Sequence, residues 1–109
     1  MSPRERQLTE AAWRHGRVMP EADPAHWRQD ACGAWMRHEQ YGREGDFGWK
    51  IDRISADSGE TAENVRPFHW QNGYDIANSQ PRCRLTADRA GVPAEKYATP
   101  PRNRALQAS

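Results

Sequence analysis

The sequence predicts a small α+β domain, and three observations carry that expectation. An N-terminal stretch has helical spacing, a tryptophan-rich central segment alternates with a period of two, and a second short apolar run follows a polar loop. With 109 residues, 36% of them hydrophobic and 28% charged, the chain holds at most one domain with a small core. Five tryptophans make a few large aromatic anchors the natural centre of that core, with the ends left loose.

The elements follow in order. In "RQLTEAAWRHGR", residues 6–17, Leu8, Ala11, Ala12 and His15 recur at helical spacing, with Thr9 as candidate N-cap and Gly16 as the stop. "MPEADPAHWRQD" carries two prolines and reads as a connecting loop. "ACGAWMRHEQYGR", residues 31–43, reads as a helix or an irregular segment, with Trp35 and Met36 inward in either case. "GDFGWKIDRI" sets Phe47, Trp49 and Ile51 against Gly48, Lys50 and Asp52, the clearest strand pattern in the chain.

Beyond the polar loop "SADSGETAE", "NVRPFHW" reads as a second strand or extended turn, because Pro67 keeps Arg66 out of helical geometry. "QNGYDIANS" is then expected to begin a short helix, weakened by Gly73. Prolines recur from Pro81 to Pro101 without periodicity, so residues 78–109 are expected to form an extended, partly disordered tail behind a domain of residues 1–77, with a turn of helix at "LTADRAG".

Charge narrows the function. The net charge of +1 supplies no global field for nucleic acid, but residues 78–109 hold six basic side chains against two acidic ones. A basic tail of that kind is either solvated or in contact with phosphate or an acidic protein. No apolar run approaches a membrane span, "MSPRERQLTE" has no signal-peptide core, and a cytoplasmic protein without membrane partners is expected. Cys32 and Cys83 form no metal-binding spacing, and in a reducing compartment no disulfide between them is expected; Cys32 reads as a small buried hydrophobe. Trp35, Trp49 and Trp70 read as core, Trp13 and Trp27 as core or as a stacking surface for bases.

Three segments together, "DACGAWMRHEQYG", "GWKIDRI" and "NVRPFHWQNG", resemble the HNH endonuclease family, over roughly Trp13 to Asp75. They are similar to its Cys-Gly-Ala-Trp lead-in, its Gly-Trp-Glu-(Ile/Val)-Asp-His-Ile strand and its Asn-Leu-Arg-Pro-Leu-His-Trp-x-Asn-Asn run. The resemblance implies a ββα-metal fold. It matches Asp52 to the first metal ligand and Asn64 to the residue that braces the loop.

The departures are as specific as the match. Arg53 stands at the general-base position, where a guanidinium cannot give up its proton. Gly73, nine residues after Asn64, stands where the second ligand belongs, and Lys50 replaces the family's glutamate. The resemblance therefore implies a catalytically inactive binding protein that needs no cofactor. Its partner would be a nucleic acid or a nucleic-acid-processing complex, met through Lys50, Arg53, Arg66, Arg82 and Arg84. A phage or mobile-element inhibitor of a nuclease or defence complex, of the anti-CRISPR type, is the specific form. Arg53 either pairs with Asp52 or meets phosphate directly. The alternative is an active endonuclease or nickase using Mg²⁺ or another divalent metal at a shifted site, with Asp52 joined by His69 or Asn72.

Overall fold

A computed structural model describes residues 1–88 and 101–106. One helix, α1 (Pro3–Arg14), precedes eight short strands: β1 (Trp27–Gln29), β2 (Trp35–Arg37), β3 (Trp49–Arg53), β4 (Val65–His69), β5 (Gly73–Asp75), β6 (Gln80–Arg82), β7 (Leu85–Ala87) and β8 (Asn103–Ala105). The strands pair in sequence order as four antiparallel ladders, β1–β2, β3–β4, β5–β6 and β7–β8. The α+β class is as expected.

Two-stranded ladders are marginal alone, so packing and side-chain hydrogen bonds must hold four of them together. Packing comes from α1, whose Ala11, Ala12 and Trp13 bury against Met36, Trp49 and Val65. Trp49 has no exposed surface and meets the rings of Trp13 and Tyr41 at 5.2 and 4.9 Å between centroids. Trp35 and Met36 are equally buried, as expected, but from β2 rather than from a helix or irregular coil. Trp13 is core. Trp27 is half-buried, edge-on to Phe47 and covered by the Arg37 guanidinium, and Trp70 is half-buried at the rim of two clefts.

Three sequence expectations about elements are overturned. The helix starts at Ser2, not Thr9: the Ser2 hydroxyl accepts from the Glu5 N–H at 3.1 Å and Pro3 takes the first helical position. Thr9 lies inside the helix and donates to the Glu5 carbonyl at 2.7 Å. The segment after β4 is no helix. Asp52 captures the Tyr74 N–H at 3.0 Å, and Asp75 accepts twice from Asn78, closing a β5–β6 hairpin instead.

The described part of the C-terminal segment also departs from a loose tail. Leu85–Ala87 is a strand rather than a turn of helix, with Thr86 and Ala87 buried. In β8, the Asn103 carboxamide accepts from the Trp35 N–H at 2.6 Å and donates to the Trp35 carbonyl at 3.0 Å, pairing with β2 as a strand backbone would. The expectation for Arg89, Pro93, Lys96 and Pro100 falls outside the described residues.

The fourth correction concerns the cysteines. Cys32 and Cys83 form a disulfide, their Cα atoms 5.5 Å apart and 51 residues apart in sequence. A reducing compartment disfavours disulfides in general, but here the fold brings the two sulfurs together. Gly33, at φ +82°, makes the tight turn that presents Cys32, and a β-carbon there would come within 2.9 Å of the Thr86 hydroxyl. That close approach brings β7 and the neighbouring Cys83 to Cys32. Cys32 is half-buried and cross-linked, not a free core residue. Among the described residues no helix is long and apolar enough to cross a membrane.

Candidate functional site around Asp52 and Gly73

The β3–β4 ladder pairs Trp49 with His69, Ile51 with Pro67 and Asp52 with Arg66. Since side chains alternate along a strand, Trp49, Ile51 and Arg53 share one face while Lys50 and Asp52 share the other. The first face packs on α1. The second meets β5, and there Gly73 comes against Asp52.

A β-carbon on Gly73 would lie 3.0 Å from Asp52 Oδ2, 3.4 Å from Lys50 Nζ and 3.8 Å from Arg82 Nη2. The space that a side chain at position 73 would fill is therefore bordered by one carboxylate oxygen and two cationic groups. Lys50 Nζ is 3.9 Å from Asp52 Oδ2, a partly exposed pair in which solvent screens most of the attraction. Lys50, Gly73, Arg82 and Arg84 line one open basin of about 1020 Å³, floored by Leu85 and bordered by Trp70. Hydrogen bonds from Asn78 hold the Asp75 carboxyl below the usual carboxylate range, with a smaller contribution from the charge of Arg82.

The remaining expected residues are placed elsewhere. Arg53 is exposed on the opposite face from Asp52, and among the described residues no ion pair joins the two; Lys50 is the cation at Asp52. Arg66 faces another cleft and anchors its Nη1 on the carbonyls of Glu63 and Val65, at 2.8 and 2.9 Å. Asn64, 4% exposed, ties the loop: Oδ1 accepts from the Ser55 N–H and Nδ2 donates to the Ser55 and Gly59 carbonyls, all within 2.9 Å.

His69 and Asn72 do not join Asp52. His69 Nδ1 accepts from the Gln71 N–H at 3.1 Å, which leaves Nε2 as the donor to the Asp46 carbonyl at 2.9 Å. Burial lowers the His69 pKa, against smaller opposing effects from Asp46 and Asp30, and favours this neutral tautomer. The Asn72 amide donates to Asp30 Oδ2 and the Leu85 carbonyl, and accepts from the N–H groups of Arg84 and Leu85. Asn72 thus positions the backbone that carries Arg84 into the basin.

Compared with family models, with curated proteins and with solved structures, the chain matches none.

Sequence reasoning missed Asp30. Its carboxylate is 2% exposed and accepts four N–H groups at 2.9 Å: those of Cys32 and Ala34 on Oδ1, and those of His69 and the Asn72 amide on Oδ2. Burial raises its pKa although all four hydrogen bonds pull the other way. One side chain so joins the β1–β2 turn to β4 and, through Asn72, to β7. The only signal was an Asp just before "ACG", which reads equally well as an ordinary turn residue.

Proposed function

We propose that this chain is a non-cleaving binding protein of HNH-like design that holds a polyanion in the Lys50–Arg82–Arg84 basin. One observation carries the reading: Lys50 Nζ and Arg82 Nη2 border the position from which a second ligand would extend beside Asp52. A divalent cation needs several oxygen or nitrogen donors and repels ammonium and guanidinium groups. One carboxylate, a glycine and two cations do not fit that need. They suit phosphate, whose charge Arg binds in bidentate fashion and Lys as a point charge.

The basin then acts by charge and shape. Arg82 and Arg84 flank the disulfide-bonded Cys83, so both project from a cross-linked corner of the chain. Nucleic acid, alone or within a nuclease or defence complex, is the proposed partner. A phage-encoded inhibitor of the anti-CRISPR type is the setting this reading suits, since blocking requires occupancy without chemistry.

A plasmid cleavage assay with Mg²⁺, Mn²⁺ and Ni²⁺, alongside a gel-shift assay on the same DNA and on RNA, tests it. Retardation without cutting is expected, unchanged by EDTA. Metal-dependent cutting that disappears in Asp52→Ala would replace this reading with that of an active nuclease.

A further inference from the structure

A second cleft lies apart from the basin, between the end of α1, β1 and the β3–β4 face, with a volume of about 330 Å³. Its character differs. Pro67, Phe68, Tyr74 and Ile54 give it apolar walls, and the Phe68 and Tyr74 rings lie 6.4 Å apart between centroids. Two cationic groups line it, Arg17 and Arg66, along with the His15 imidazole, whose Nε2 is hydrogen-bonded to the Ala62 carbonyl.

The backbone fixes the polar end. Arg17 and Gln29 exchange both hydrogen bonds of an isolated antiparallel bridge, at 2.7 and 3.0 Å. Residues directly opposed in such a pair project to the same side, so the Arg17 and Gln29 side chains leave the bridge on one face, and both line the cleft. Among the described residues Gln29, 6% exposed, makes only backbone hydrogen bonds, and nothing holds the exposed Arg17 guanidinium. Arg66 is anchored through Nη1, which leaves its other N–H groups to a ligand. The one carboxylate on the lining, Asp30, has its acceptor sites filled by four N–H donors.

From this arrangement we infer a binding site for a small amphipathic anion, one planar apolar ring bearing a carboxylate or phosphate. The ring enters between Pro67, Phe68 and Tyr74. The anionic group meets Arg17 and Arg66 at the mouth, and the Gln29 amide supplies a further hydrogen bond. Charge complementarity selects the anion, and apolar walls in a volume near that of small-ligand pockets select the ring. This site does not depend on the basin reading.

Titration of the full-length chain by ¹⁵N-resolved NMR tests the site, with phenyl phosphate, benzoate, inorganic phosphate and benzyl alcohol as probes. The two ring-bearing anions should shift the amides of Arg17, Gln29, Phe68 and Tyr74 saturably. Arg17→Ala should weaken them about tenfold, the loss expected for one charge-assisted hydrogen bond. Arg84→Ala, in the basin, should leave them unchanged. Inorganic phosphate or benzyl alcohol binding as tightly would overturn the inference, as would ring-bearing anions that shift none of these amides. Equal losses in Arg17→Ala and Arg84→Ala would overturn it too. Adenosine monophosphate and a dipeptide ending in phenylalanine carry the same chemistry from different sources. Tighter binding of either at these amides supports the site and names its source.

Discussion

Asp30 Oδ2 accepts from Asn72 Nδ2 at 2.9 Å, across 42 residues of chain. Each of these side chains is committed on every polar atom, so the pair joins three ladders, β1–β2, β3–β4 and β7–β8. In Asp30→Asn one oxygen becomes an NH₂ group facing two existing donors. Whichever way the amide turns, two hydrogen bonds are lost and buried donors oppose one another. We expect a loss of about 3 kcal/mol or more in stability, from two unsatisfied buried groups. Urea denaturation should show a lower midpoint with an unchanged slope; a change below about 1 kcal/mol would remove Asp30 from this role.

His69 and Asp30 act oppositely on the pH dependence of stability. Burial depresses the His69 pKa below its usual 6.5, so the unfolded chain binds the proton more readily. Its contribution is complete above pH 6.5 and is lost as pH falls through the folded value. The raised Asp30 value gives a term that is largest below 3.8 and is lost as pH rises through the folded value. As pH rises toward 6.5 the His69 term should raise the denaturation midpoint, and the difference between wild type and a His69 variant separates that rise from the opposing Asp30 term. His69→Gln should flatten that climb. An equally steep rise in the variant would place its origin elsewhere.

The cross-link makes a separate, quantitative prediction. Cys32 and Cys83 close a loop spanning 51 residues. The chain-entropy relation for a loop of that size gives about 4 kcal/mol at 25 °C. The Cys32→Ser/Cys83→Ser double variant should unfold at lower urea and be indifferent to dithiothreitol, whereas the wild type should lose its extra stability on reduction. A wild-type midpoint that reductant does not move would show that the bond does not constrain the unfolded chain.

Period-two alternation and Pro67 located β3 and β4 because those strands bury one face against a helix, and the tryptophans located the core because nothing else is large enough to fill it. What remained invisible were interactions that depend on position rather than residue type. Asn103 is an ordinary polar residue among prolines, yet its amide stands in for a strand backbone along Trp35. Ser2 is hidden as a cap by its place next to the first residue. At the site, Asp52 and Gly73 were legible as positions, and the glycine does lie against the carboxylate. From sequence Arg53 either pairs with Asp52 or meets phosphate; strand alternation turns it away from Asp52 and puts Lys50, two residues from Asp52, on the same face.

That placement yields the sharpest discrimination between binding and catalysis. Asp52 is a carboxylate beside Gly73 and Lys50 of the basin, and its Oδ2 accepts from the Tyr74 N–H, a bond an asparagine oxygen can keep. In a metal-dependent nuclease, Asp52→Asn would weaken or abolish function. In a polyanion-binding basin the same change removes a repulsive charge, so affinity for nucleic acid should rise, by about threefold to tenfold at low salt for a partly screened charge. Arg84→Ala and Lys50→Ala should act in the opposite direction. Each should reduce the slope of log K against log salt by about 0.7–0.9 for every phosphate left without its cation. Fluorescence anisotropy of a labelled oligonucleotide across a salt series measures both quantities. A drop in affinity in Asp52→Asn, with slopes unmoved in the two cation variants, would mean that the basin does not hold the nucleic acid.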